Sequence, residues 1–482
     1  MTLRVAMSGK NVNRRPNQLP RLTIPYSQIR THREIVMEGI MNPITDKPEV
    51  VEVFSDGVIK SDTAISEEIQ TALKEAVVPL EDVPAERKDY HPGSNNTVVD
   101  LLHPSLFLVR LLGLDDCLKE TGEGKVIPVP PKDQTHLQTP KYEIHPRHPD
   151  DPPEFNIKFQ WLSCEVELVD NGDCQKQSYI NNAHPVKHKA LYQAVEKALA
   201  RTIPLWEASL ADRTEPRISL TQVEFEEGWE EKPDRPEEVD GSKYEDEMEQ
   251  FYKNRRVKVP DAGELHVRVP DNEVDFKEHL PGRNLQVIVK LANIELTPEK
   301  PRYEGGSWHI EGQLMSPKNI TSSSLSFRHR ADTYLDDVQY EQDNHHQFLQ
   351  QVYGFPDDID GRNDGQVTQE RGGIDTREGR LITFPNTLQH RVSPFSLEDP
   401  TKPGHREILA LFLVNPLRRV ISSANVPPQQ EDWVATNDND KVNTMSLDEA
   451  KEFILELMKE RDMRSETANK GFEIGAFCLC EH

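Results

Sequence analysis

Long hydrophobic runs are missing from this sequence. No stretch approaches the ~18 apolar residues that a membrane-crossing helix needs, so no membrane association is expected. Cysteine is scarce, with five in 482 residues: Cys117, Cys164, Cys174, Cys478 and Cys480. An odd, sparse set in a chain of this length builds no disulfide framework and points to a reducing, cytoplasmic setting. Positive charge is short as well. Lys and Arg total 57 against 83 Asp and Glu, for a net charge of -26. That speaks against a nucleic-acid partner, because phosphate contacts need a basic surface. Acids are missing from the first 33 residues, which hold seven Arg or Lys. The charge is that of a transit peptide, but three prolines and no amphipathic pattern argue against one. No Gly-rich phosphate loop and no Gly-x-Ser-x-Gly elbow is found.

Proline is plentiful, at 36 residues, and predicts long connections. The size allows two or three domains, or one large domain with additions. Residues 1–20 show no period and read as disordered. Residues 21–150 read as an N-terminal helical region closing in a Pro-rich connection. Within it, Ser66 to Ala76 carries a helical apolar face, and Val98 to Leu112 reads as a buried helix–turn pair. Residues 151–430 hold the strand signals: Phe159 to Leu168 with Ser178 to Asn182 as its partner, Leu285 to Leu296, Ser307 to Leu314 and Ser324 to Arg328. A long helix is expected over His184 to Leu210. The acidic insertion at 224–250 reads as a solvated loop; thirteen acids face three bases from Glu224 to Glu249. Residues 431–482 read as a C-terminal helical extension, with a Ser446/Glu449 capping box at its start. The order of elements predicts a mainly β chain with helical additions, built on a double-stranded β-helix of the jelly-roll or cupin kind.

Four residues carry the functional argument. His309 and Glu311 are two apart, so in a strand they share a face. His390 lies in a distant strand-like run. Together they would make a two-histidine, one-carboxylate facial triad, which leaves three positions of an octahedral iron(II) free. Arg406 heads the apolar run Ile408 to Val414, and its planar fork suits the far carboxylate of a dicarboxylate cosubstrate. His-x-Asp/Glu by itself decides nothing, since His32/Glu34, His148/Asp150 and His405/Glu407 match it too. Only His309/Glu311 follows a Gly-Gly turn with a second strand histidine downstream. Each residue taken alone also fits a plain role: a strand-end histidine, a surface carboxylate, a half-buried histidine, or an arginine paired with Glu398 or Asp399. His345-His346 reads as part of an exposed helix. Cys478, Cys480 and His482 lack a fourth ligand.

The combination His390…Gly404-x-Arg406…Leu409-x-Leu411-Phe412 resembles the iron(II)- and 2-oxoglutarate-dependent dioxygenase superfamily. Longer motifs are similar to the fungal domain-of-unknown-function 4246 family. They include W-H-I-E-G, S-Y-I-N-N-A-H-P, F-P-N-T-L-Q-H-R-V-S-P-F, A-N-V-P-P-Q-Q and the closing L-C-E-H. The resemblance runs from about Arg21 to His482 and implies a non-haem dioxygenase acting on a small molecule or peptide. His309, Glu311 and His390 would hold Fe(II), and Arg406 would bind 2-oxoglutarate. One departure stands out. Where the family continues into a further strand after Gly312-Gln313-Leu314, this chain reaches Asn319-Ile320-Thr321 at once. A barrel short of a central strand allows two other readings: an inactive binding or scaffold protein, or a metal-binding barrel that does not use 2-oxoglutarate.

Overall fold

The run Leu285–Leu296 is apolar at most positions, the composition of a strand covered on both faces. Everything that positions the site is arranged around it. The computed structural model describes residues 50–54, 57–110, 159–170, 172–211, 220–229, 231–234, 241–260, 274–280, 284–309, 314–318, 323–330, 338–341, 346–355, 365–417, 419–433 and 444–475.

Along the chain these residues form β1 (Val51–Phe54), β2 (Val58–Ser61), helix α1 (Glu67–Glu81), β3 (Val98–Leu102), β4 (Val109–Arg110) and β5 (Phe159–Gln160). Next come β6 (Cys164–Leu168), β7 (Cys174–Lys176), α2 (Lys189–Leu210), α3 (Gly241–Asn254), the single turn α4 (Phe276–His279) and β8 (Leu285–Leu296). Then follow β9 (Arg302–Tyr303), β10 (Leu314–Lys318), β11 (Ser324–Arg330), β12 (Gly365–Gln366), β13 (Thr368–Asp375) and β14 (Leu381–Thr383). The last are β15 (Leu388–Val392), β16 (Phe395–Ser396), β17 (Gly404–Leu413), α5 (Leu447–Glu473) and β18 (Ile474–Gly475).

The largest sheet is antiparallel, in the order β10-β17-β8-β6-β7, with β3 also paired to β8. Two three-stranded sheets run β13-β11-β15 and β1-β2-β14. Successive strand residues point to opposite faces, and here both faces are used. Val287, Val289, Leu291, Leu409 and Leu411 pack against Ile69 and Val77 of α1 and against Leu191, Val195 and Leu199 of α2. Ile294, Leu296 and Ile408 face the other way. They share a cluster with Leu325, Phe327, Leu388 and Val392 of the β13-β11-β15 sheet. The chain is therefore mainly β, with helices outside the large sheet and a second sheet packed on its inner face.

The helix signals hold where the caps are. Ser66 accepts from the Ile69 amide at the start of α1, and the Ser446/Glu449 capping box opens α5. α2 covers the long helix expected from His184, though its first regular residue is Lys189.

Several expectations are corrected. The N-terminal region is not purely helical: β2 pairs with β14, and Val98–Leu102 is a strand on β8 rather than a helix–turn pair. A short apolar run has no readable period, and the open edge of β8 decides its state. The partner of β6 is β7, reached through the turn at Gly172 (φ 86°), and not residues 178–182. The acidic stretch is not all loop, because α3 starts at Gly241. His346 is buried beside Phe348, Leu349 and Val352, which pack with Val257, so that segment is not an exposed helix; His345 lies outside the described residues. From Ser307 onward, His309 makes a single bridge and no strand is formed through 309. The segment where a strand was expected to be missing supplies one beside β17. β10 pairs with it from Leu314 opposite Leu409 to Lys318 opposite His405. Pro317 is tolerated because β10 is the edge of its sheet.

Candidate functional site

His390 lies in the middle of β15, between Phe327 of β11 on one side and His309 on the other. The contact with His309 is a two-hydrogen-bond bridge: His309 N donates to the His390 carbonyl at 3.0 Å, and His390 N donates back at 2.8 Å. Residues directly opposite in an antiparallel pair send their side chains to the same side. The two imidazole rings accordingly lie 4.3 Å apart, centroid to centroid.

The approach of the 305–309 segment depends on Gly305, at φ 96°, where a side chain is strained. A Cβ at Gly305 would also sit 3.0 Å from the Val392 carbonyl and 3.2 Å from Pro394. Next to it, Gly306 N donates to that Val392 carbonyl. The Gly-Gly pair thus lays the segment against β15 and brings His309 level with His390.

The two histidines differ. His390 is fully buried, and neither ring nitrogen has a hydrogen-bond partner among the described residues. Burial, and then the neighbouring His309, hold its pKa well below the usual histidine value, so the ring is neutral. His309 is partly exposed, and its Nδ1 lies 2.8 Å from the Ser307 carbonyl. A carbonyl only accepts, so Nδ1 carries the proton and Nε2 keeps its lone pair. Phe384 and Phe327 flank His390, with ring centroids at 4.8 and 6.5 Å, and keep its surroundings apolar.

Arg406 stands on β17, between Ile294 of β8 and Pro317 of β10. Its partner Ile294 belongs to the inner cluster, so Arg406 is on the face turned toward the second sheet. It is fully buried; Nη1 donates to Ser323 Oγ at 2.9 Å, while Nε and Nη2 have no partner among the described residues. No described carboxylate pairs with it. Its guanidinium carbon lies 5.6 Å from the Phe395 ring centre, and Tyr303 packs on Phe395 at 5.2 Å. Burial pushes its pKa down to about 9, and Tyr303 acts weakly in the opposite sense. A buried cation in this state is stabilised most by an anion reaching its two idle nitrogens.

Of the four residues singled out in the sequence, the structure brings His309 and His390 together and places Arg406 on the inner face. Glu311 lies outside the described residues. The donors present fit a metal: two imidazoles on one side of a sheet, one without any hydrogen-bond partner among the described residues. The buried, half-satisfied guanidinium fits a carboxylate.

Sequence reasoning missed the support around these groups. The guanidinium groups of Arg328 and Arg391 lie 4.6 and 4.5 Å from the centre of the Trp308 ring. Asn469 of α5 donates to the Trp308 carbonyl at 3.3 Å and accepts from Gln389 Nε2 at 2.9 Å. Glu473 of the same helix pairs with Arg328. The end of α5 is therefore tied to the residues flanking both histidines. Only the Gln-His-Arg order around His390 hinted at polar neighbours.

A family model described as a protein of unknown function, DUF4246, matches residues 40–437. The chain belongs to the DUF4246 family. No curated protein matches it. The match contains His309, His390 and Arg406, and it stops before α5. In this DUF4246 chain, then, the helix that braces the histidine pair comes from beyond the matched span. No helix among the described residues is long and apolar enough to cross a membrane.

Proposed function

We propose that this chain is a non-haem iron(II)- and 2-oxoglutarate-dependent dioxygenase on a jelly-roll barrel. The walls of that barrel are the large sheet and the β13-β11-β15 sheet. His309, His390 and Glu311 hold the iron, and Arg406 receives the far carboxylate of 2-oxoglutarate. The observation that carries this reading is the pairing of His309 with His390, rings 4.3 Å apart, in a chain whose Arg406 is buried with two idle nitrogens. Iron and 2-oxoglutarate, when bound, supply oxidation of a substrate C–H bond by oxygen, coupled to release of succinate and carbon dioxide.

The protein's own part is positioning and exclusion. Nδ1 of His309 is committed to Ser307, so its other nitrogen is free for metal. His390 stays neutral, as a ligand must. Phe327 and Phe384 keep water from its ring. Ser323 orients the Arg406 fork.

Anaerobic iron(II) titration of the full chain, followed by 2-oxoglutarate, tests the reading. One equivalent of iron and a visible metal-to-ligand band on adding the keto acid are expected. Iron binding without the band would assign a metal-binding barrel with no such cosubstrate. Absence of iron binding would leave an inactive binding or scaffold protein.

A further inference from the structure

A second group of metal-ligating side chains lies elsewhere on the large sheet. Asp100 pairs with Ala292 on β8, and Ala292 pairs with Ile408 on β17; Arg406 stands in the neighbouring row, opposite Ile294. Asp100 is therefore on the same sheet face as Arg406 but one row along and two strands across. Residues 89–91 double back on β3: Asp100 N donates to the Asp89 carbonyl at 2.8 Å, and His91 N donates to the Val98 carbonyl at 2.9 Å. The turn between them runs through Asn95 and Asn96, both left-handed at φ 52° and 54°, which asparagine tolerates better than most residues. A bulge between Asp100 and Leu102 then turns the chain so that His103 comes back beside Asp100. Asn182 fixes that turn by donating to the His103 carbonyl at 2.7 Å.

The result is a cluster of His91, Asp100 and His103 whose ligand atoms all lie within 4.8 Å of one another. His91 Nδ1 is 2.8 Å from Asp100 Oδ2, and His103 Nε2 is 3.7 Å from the same oxygen. Ligands on a tetrahedral ion, with bonds of about 2.0–2.2 Å, stand roughly 3.3 Å apart, and the observed spacings straddle that value. Asp100 is 5% exposed, yet among the described residues its Oδ1 has no hydrogen bond; Lys290 Nζ is 3.9 Å away. A buried carboxylate oxygen left without a hydrogen bond is costly unless something binds it.

We propose that His91, Asp100 and His103 form a second cation site, distinct from the His309/His390 pair, which takes a divalent transition ion of the zinc class. Two imidazoles and one carboxylate give a nitrogen–oxygen donor set with a position left for water or a fourth ligand, and no soft donor to select copper(I). Without the ion, the Asp100 carboxylate is held by the proton between it and His91 Nδ1, which the cation replaces. Lys290 is long and partly exposed, so it can swing away as the charge arrives.

Cobalt(II) is the probe, used on the full chain carrying His309→Ala so that the first site is disabled. One equivalent of cobalt is expected, with the strong visible bands of four-coordinate cobalt, and zinc should displace it. Adding Asp100→Asn should weaken binding by more than the ~10–100-fold that an outer-shell partner is worth. His91 is partly exposed, so His91→Ala gives a second variant that keeps the fold even if Asp100→Asn does not. It should lose the same bands. No cobalt binding in the His309→Ala chain, or binding unchanged in His91→Ala, overturns the proposal. It would show the cluster to be a salt-bridge network closed by Lys290.

Discussion

Arg406 and Ser323 are joined by a single hydrogen bond, Nη1 to Oγ at 2.9 Å, and among the described residues it is the one such bond that the guanidinium makes. Ser323 is in turn tied to Thr376, Oγ to Oγ1 at 2.7 Å, so the large sheet's arginine is held from the side of the small sheet. The arrangement costs stability and orients a fork, which is what a ligand-binding arginine requires. Arg406→Met should therefore fold as well as the parent, or better by about 1–3 kcal/mol, as happens when buried charges are replaced by apolar groups of similar size. It should lose 2-oxoglutarate binding in calorimetry. Arg406→Lys should rescue only part, because a point charge does not reproduce a two-pronged contact. A Met variant that is several kcal/mol less stable would mean that the arginine is structural.

In a chain that also carries His91→Ala, so that the second cluster takes no iron, His309→Ala and His390→Ala should each abolish iron(II) binding, and the double variant should be no worse than either single one. Groups that act through one shared ion are not additive. The measurement is iron stoichiometry at equilibrium. Full binding by either single variant would dissociate the ring pair from metal.

Gly305→Ala adds a Cβ 3.0 Å from the Val392 carbonyl, at a backbone angle that L residues rarely adopt. A cost of about 1–3 kcal/mol is expected in denaturant melts. The displaced segment carries His309, so iron affinity should fall with stability. Gly172, also at positive φ but with nothing near its added Cβ, is the control, and Gly172→Ala should leave iron affinity unchanged.

Glu407 follows Arg406 and faces the helical layer. Its carboxyl is pushed up to about 7, first by burial and then by the charge of Glu81. The folded chain therefore binds this proton at pH values where the unfolded chain has released it. Stability from this group is present below about pH 4.5 and lost as pH rises toward 7, by an amount on the order of 3 kcal/mol. Glu407→Gln should flatten that part of the stability–pH curve and raise the melting temperature at pH 8. An unchanged slope between pH 5 and 7 would show that the carboxyl is solvated.

Asn469→Ala breaks the link between α5, Gln389 and the Trp308 carbonyl. The expected loss is about 1–2 kcal/mol of stability. Iron affinity should fall with it, since both bonded residues adjoin a histidine. Retention of full affinity would make α5 a cover only.

Much of this protein was legible one residue at a time. The apolar density of Leu285–Leu296 announced a strand covered on both faces, and the Ser446/Glu449 spacing announced a helix start. Both are local signals, and the folded chain keeps them. His390 was visible because it lies in a strand-like run, and Arg406 because it heads an apolar one. Val98–Leu102 was not legible. Five apolar-rich residues have no period, and they became a strand because β8 offered an unpaired edge. Residues 314–318 likewise became a strand because β17 needed a neighbour.

The sequence by itself determined which segments could be buried and which side chains were candidates for metal or anion binding. Tertiary structure alone decided which of them meet. His309 and His390 are 81 positions apart in the chain. They touch because an antiparallel bridge sets them opposite each other, and His91 joins Asp100 only because a left-handed asparagine turn folds it back. Contact between distant residues depends on strand register and turn geometry, which belong to the whole sheet and to no single segment.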